Sequence, residues 1–384
     1  MSGAPPRLAM IGFRAGPGGI GRVMTTLIAA LIEHGIAVDL LLPPGSHPDL
    51  APLEGRVGIW SVDGADEKAA RAVLAGYLRK RRPDAILSNR DQSHRLLAGG
   101  FPDGERPFTA FRIGTNVLEK IRRNSPLTGP WKRRRLARLY READCLIGIS
   151  PGVSAALQRM LGRAGGGSGA RPGAATIWNP LDLAAIRRMA AEPLGHPWFT
   201  PKGGPVVVSV GRLVRAKNYS TLLRAFGQLP EALDARLVIV GAGGQHGRLR
   251  GLARDLGLAD RIDLPGYQAN PFPYVAAADL FVCSSIFEGA NNALIEALTL
   301  GTPVVSTDCP SGPREILDDG KLGALVPVED VPAMAVAIRS ALESPIDPQG
   351  LRASAARFDP HQAARRYAEV LGLIGRPAEG GDAG

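Results

Sequence analysis

Nowhere in the 384 residues do about 18 apolar residues follow one another without interruption, and the opening MSGAPPRLAMIGF has no basic segment leading into a long apolar one. A membrane-spanning or exported protein is therefore not expected; a cytoplasmic one is, at most peripheral at the inner face of the membrane. Cysteine is scarce. Cys145, Cys283 and Cys309 lie in or beside apolar strand-like runs without CxxC spacing, which fits reduced structural thiols and gives metal ligation little support. No Asp-x-Asp stands at a suitable strand end, so no metal site is expected. Acid is missing from one stretch altogether: residues 120–141 hold nine bases (Lys120, Arg122, Arg123, Lys132, Arg133, Arg134, Arg135, Arg138 and Arg141) and no carboxylate.

That stretch belongs to an uneven charge distribution. Residues 1–180 carry 26 Lys and Arg against 14 acids and residues 181–384 carry 20 against 22, so all of the net +10 comes from the first half. A basic surface attracts nucleic acid, anionic lipid or a pyrophosphate-bearing acceptor alike. In WKRRRLARLY, helical spacing puts Trp131, Arg135, Leu136, Leu139 and Tyr140 near one face. The run reads either as a solvated surface helix or as one that docks on an anionic membrane with aromatic anchoring. Stacking aromatics interleaved with the bases are lacking, so no nucleic-acid partner is expected.

The length suits two domains of about 180 residues each. Apolar runs at 8–13, 38–42, 83–88, 108–113 and 145–150 alternate with helical patterns such as 23–34 and 67–80. Parallel strands joined by right-handed crossovers in a doubly wound α/β sheet give that pattern. Residues 163–174 are Gly-rich and read as a flexible loop. A first domain over 1–181 is followed by a second over 182–358, which restarts the alternation at 206–210; a helix over 359–375 and a Gly/Ala-rich tail over 376–384 complete the chain. Gly16-x-Gly18-x-x-Gly21 has the spacing of a dinucleotide fingerprint, with Asp39 in the next run, so this segment alone leaves an oxidoreductase open.

The most informative stretch is IFEGANNALIEALTLGTPVVSTDCPSGPREIL at 286–317. Asn291 and Asn292 suit an N-cap, the residues from Ala293 onward have helical apolar spacing, and Gly301-Thr-Pro ends the helix before a buried strand at 304–306. Glu288 precedes the helix and Glu296 lies one turn inside it. Amides from Gly289 through Ala293 open a helix N-terminus and can hold an anionic group. Carboxylates next to a phosphate site fit a nucleotide sugar, whose hydroxyls donate to the acids while the helix end takes the diphosphate. The plain alternative makes Glu288 a first-turn acid complementing the helix dipole and Glu296 a solvated mid-helix residue. Gly211, Arg212 and Lys217, following the run at 206–210, put further positive charge at the ligand-binding edge of the sheet.

Glu288-x7-Glu296 with the following GTPVVSTDCPSGPREIL resembles the donor-binding motif of retaining glycosyltransferases of family 4, which have the GT-B fold: two Rossmann-like doubly wound sheets facing a cleft. The resemblance is closest over 206–328. It implies that Glu288 contacts the transferred sugar, Glu296 the ribose, Arg212 and Lys217 the donor diphosphate, and Tyr267 and Gln268 the base. Gly18 and Gly19 are placed near the diphosphate, the first domain takes the acceptor, and the helix over 359–375 crosses back to the first domain. No cofactor is implied beyond the co-substrate, a nucleotide sugar such as a UDP-sugar; the implied acceptor is a saccharide on a lipid carrier in cell-surface glycan synthesis. Two departures stand out: Gly114-Thr115-Asn116 where many members carry a His, and Ala290 in place of an aromatic. A GT-B sugar-nucleotide epimerase, a glucan synthase and, more remotely, a basic nucleic-acid-binding protein are the alternatives.

Overall fold

The computed structural model describes residues 4–13, 19–45, 48–62, 66–98, 101, 106–125, 127–162, 172–200, 203–344 and 346–375. The chain separates into two units, residues 1–181 with 358–384 and residues 182–357. In the first unit the strands β1 (Arg7–Ile11), β2 (Ala37–Leu42), β3 (Gly58–Ser61), β4 (Ala85–Ser88), β5 (Phe108–Ile113), β6 (Cys145–Gly148) and β7 (Gly173–Thr176) form one parallel sheet in the order β3-β2-β1-β4-β5-β6-β7. Its central strands are buried on both faces, β4 and β6 along their whole length. Helices on both sides of a parallel sheet require such continuous apolar runs.

One expectation and one open alternative change here. Gly173 and Ala174 are not loop: they open β7, which pairs with β6 at the sheet edge and is mostly exposed. An edge strand needs no apolar side chains, so hydropathy could not show it. The other residues of the expected loop up to 171, and the tail at 376–384, lie outside the described residues. Asp39, the acid that the dinucleotide spacing left open as an alternative, is not available to a ligand. It is fully buried on β2, where Arg7, Arg81 and the Tyr77 hydroxyl all bond its carboxylate. Burial alone would raise its pKa, but the Arg81 and Tyr77 hydrogen bonds and the Arg7 charge outweigh it and hold the carboxyl below its ordinary value.

The helix Pro360–Val370 packs on Gly19–Glu33 of the first unit, and Phe358 also belongs there, edge-on to Trp178. Arg112 on β5 ties this helix in: its guanidinium, almost fully buried, bonds the Tyr367 hydroxyl at 3.1 Å, Asn89 at 2.7 Å and Asn179 at 2.5 Å.

The second unit repeats the plan with β8 (Val206–Val210), β9 (Arg236–Val240), β10 (Ile262–Gly266), β11 (Leu280–Cys283), β12 (Val304–Thr307) and β13 (Ala324–Val326), parallel in the order β10-β9-β8-β11-β12-β13. Val207, Leu237, Ile239, Val282 and Val305 make the strand side of its core; Leu222, Phe226, Met334 and Ile338 from the helices Tyr219–Phe226 and Val331–Glu343 cover them. Strand order reverses between β8 and β11. In open α/β sheets that switch point, at the carboxyl ends of the strands, is where ligands bind.

Candidate functional site

The exits of β8 and β11 are stitched to each other at the switch point. After β8 the chain turns through Gly211 into a tight turn, Arg215–Lys217, which Asn218 ends in the left-handed conformation. From the β11 side, the Ser284 hydroxyl donates to the Lys217 carbonyl at 2.8 Å, and the Ile286 amide donates to the Ala216 carbonyl at 2.8 Å. Two backbones so fastened bring together side chains 71 positions apart: Lys217 Nζ lies 2.6 Å from Glu288 Oε1. Ser285 Oγ donates to the same carboxylate oxygen, also at 2.6 Å. Burial pushes the Lys217 ammonium down, but the Glu288 carboxylate, with Cys283 and Tyr219 nearby, more than reverses this, so its pKa lies above the ordinary lysine value.

The exit of β9 closes the other side. Gly211 donates to the Val240 carbonyl and Leu213 to that of Ala242, and a Cβ on Gly241 would come within 2.0 Å of the Gly211 carbonyl oxygen. Only glycine permits this approach. A Cβ on Gly211 would meet the Tyr219 hydroxyl at 2.9 Å and Lys217 Cε at 3.2 Å, so bare backbone lies directly beside the ammonium.

The helix that follows β11 is Asn292–Leu300, capped by Asn291, whose side-chain oxygen accepts from the Leu294 amide and whose Nδ2 contacts Cys283 Sγ. Gly301, left-handed at φ 78°, ends it. Glu296 is 5% exposed, which corrects the solvated mid-helix alternative. Gly289 and Asn291 are buried, whereas Asn292 and Ala293 keep partial exposure at the helix start.

The other expected residues are more scattered. Arg212 is exposed, and among the described residues its side chain makes no ion pair. Tyr267 is exposed just past β10, and Gln268 bonds the Pro265 carbonyl at 3.3 Å. Gly18 lies outside the described residues; Gly19 opens the helix Gly19–Glu33 of the first unit. Ser284 and Ser285 were not anticipated, and Cys283 was read only as a structural thiol. Ser285, three positions before Glu288, carried a signal in that short spacing. Among the described residues no three His, Cys, Asp or Glu side chains form a group able to hold a metal ion, and Cys145, Cys283 and Cys309 are buried free thiols.

Two family models match: Glycosyltransferase Family 4 over residues 17–165 and Glycosyl transferases group 1 over residues 196–358. The lipopolysaccharide core biosynthesis glycosyltransferase LpsD of Rhizobium meliloti is 31% identical over 337 residues, covering 85% of this chain and 86% of that protein. The N-acetylgalactosamine-N,N'-diacetylbacillosaminyl-diphospho-undecaprenol 4-alpha-N-acetylgalactosaminyltransferase of Campylobacter jejuni is 35% identical over 167 residues; that match spans 44% of each protein. Among solved structures, HepE of Anabaena in complex with UDP aligns with a TM-score of 0.75 at 20% identity, over 96% of this chain and all of that one. Its likeness establishes the fold, GT-B. Because the similarity to LpsD runs through most of both proteins, with one model matching much of the first unit and the other most of the second, the chain belongs to the group 1, family 4 glycosyltransferases and is a glycosyltransferase.

Proposed function

We propose that this enzyme transfers a sugar, with retention of anomeric configuration, from a UDP-sugar to a lipid-linked saccharide in cell-surface glycan synthesis. The observation that carries the reading is the meeting of Lys217, Glu288 and the start of the helix Asn292–Leu300 at the switch point of the second sheet. Departure of the nucleoside diphosphate builds negative charge on the β-phosphate, and preorganised positive charge there lowers the barrier. Arg212, Lys217 and the amides of Asn292 and Ala293 supply it; Glu288 meets the transferred sugar and Glu296 the ribose. Tyr267 and Gln268 flank the base. With the charge on side chains and a helix end, transfer proceeds without a metal or other cofactor.

The choice of UDP and of a lipid-linked acceptor is supported by what HepE is described as binding and by what the Campylobacter enzyme is named for. A panel of nucleotide sugars should raise the melting temperature selectively for UDP-sugars, because a ligand bound by the folded state alone stabilises by mass action. Transfer to a diphospho-lipid saccharide with EDTA present, followed by analysis of the new anomeric centre, tests the rest. Turnover of the nucleotide sugar without an acceptor would instead favour an epimerase.

A further inference from the structure

We propose that the first unit docks on an anionic bilayer through a groove beside the helix Gly129–Tyr140, with Arg134 and Arg138 on lipid phosphates and Trp131 and Leu127 in the interface. The groove, about 800 Å³, runs between that helix and its neighbours Val117–Asn124 and Pro151–Leu161; among the described residues, five arginines and no carboxylate line it. The structure divides the nine bases of this stretch by task. Glu119, just before it, takes Arg122 and Arg123. Lys132 bonds Ser125, while Arg133 and Arg141 bond the Arg159 and Leu161 carbonyls at 2.8 and 3.0 Å. These two answer acceptors that the end of the helix Pro151–Leu161 leaves without partners. Three bases thus tie the helices to one another, and two close on Glu119 within their own helix.

Arg134 and Arg138 do not. Both are exposed, and among the described residues neither side chain makes an ion pair or hydrogen bond. Two guanidiniums free for bidentate contact in a groove without acid suit phosphate oxygens. Beside them stand two of the most exposed large apolar side chains, Leu127 at 94% and Trp131 at 62%, the latter with the Arg135 guanidinium over its ring. Free bases flanked by an exposed Trp and Leu are the composition of a face that settles at the headgroup level of a membrane. A single aromatic gives no stacking series for nucleic acid. The inference rests on the lipid-linked acceptor reading for its purpose, since a docked enzyme searches for its acceptor within the plane of the bilayer.

The test is co-sedimentation of the full chain with vesicles of phosphatidylcholine alone or mixed with phosphatidylglycerol. Wild type should sediment with the anionic vesicles only, less so as salt rises. The triple variant Arg134→Ala, Arg138→Ala, Trp131→Ala should lose roughly two orders of magnitude in partition. An unchanged melting temperature, and unchanged transfer to a soluble acceptor analogue, establish that this loss is not unfolding. Equal sedimentation of wild type and variant, no preference for anionic vesicles, or tighter retention on duplex DNA than on vesicles at matched salt would each overturn the proposal. Failure of wild type to transfer to any acceptor while it still binds anionic vesicles would count against the function above and leave the docking face intact.

Discussion

Lys217 Nζ lies 2.6 Å from Glu288 Oε1, so the two side chains assigned to different parts of the donor hold each other. A diphosphate arriving at this place must compete with a carboxylate for the ammonium, and it meets that carboxylate's negative charge as well. Glu288→Gln relieves both while still accepting from Ser285. The variant should bind UDP about tenfold more tightly, a gain of roughly 1.4 kcal/mol, yet transfer sugar on the order of 10²-fold more slowly. Calorimetric titration with UDP and initial rates read the two effects separately. Unchanged UDP affinity would show that the ion pair does not restrain Lys217.

Glu296 should behave differently. A carboxylate on the ribose holds ground state and transition state alike, so Glu296→Gln, which keeps the volume of this buried side chain, should raise KM for the donor and leave kcat close to wild type. Glu288→Ala should lower kcat instead, because charge develops at the sugar during transfer. Small and equal effects from both changes would contradict the division of roles.

Element types were legible because they depend on local order. The apolar run at 206–210 is β8 to the residue, and Asn291 with Gly301 bounds the helix Asn292–Leu300 as cap chemistry requires. Contacts between distant segments were not legible. Nothing near Lys217 announces Glu288, which reaches it only because β11 lies beside β8 although β9 and β10 intervene in sequence. Asp39 fitted the dinucleotide spacing because spacing alone does not reveal that Arg7 and Arg81 converge on it. The basic stretch read as uniform because local pattern cannot tell Arg133, spent on a neighbouring helix end, from Arg134, which is free.

Gly241 and Gly244 stand three positions apart and make a matched pair. A Cβ at Gly241 would drive into the Gly211 carbonyl, backbone against backbone, whereas one at Gly244 would meet nothing within 4 Å. Gly241→Ala should therefore cost about 1–3 kcal/mol and, by displacing Gly211 beside Lys217, weaken UDP binding too. Gly244→Ala should stay within about 0.5 kcal/mol of wild type. Urea unfolding of both variants decides it; equal midpoints would mean the β8 and β9 exits can separate without cost.

The last prediction concerns acid. His94 is buried in the first unit, stacked on Phe111 with ring centroids 4.3 Å apart, and its Nδ1 lies 2.7 Å from Ser88 Oγ. Burial, aided by the charge of Arg95, pushes its pKa down to about 3, so the folded protein keeps it neutral. In the unfolded chain the same ring titrates near 6.5. Between those values the unfolded state binds a proton that the folded state refuses. The stability His94 contributes is therefore complete above about pH 6.5 and falls as pH drops, by up to about 1.4 kcal/mol per unit, until about pH 3. Asp39 and Glu119, whose carboxyls are held below their ordinary values, lose their contributions only at lower pH, when protons begin to reach carboxylates. Urea unfolding of wild type beside a His94 variant between pH 7 and pH 5 thus isolates this histidine among the six of the chain. His94→Gln should be less stable than wild type at pH 7, because the stacked ring is lost, but its stability should fall less steeply toward pH 5. Parallel slopes for the two proteins would show that the ring takes up a proton in the folded state, and the buried neutral imidazole would have to be abandoned.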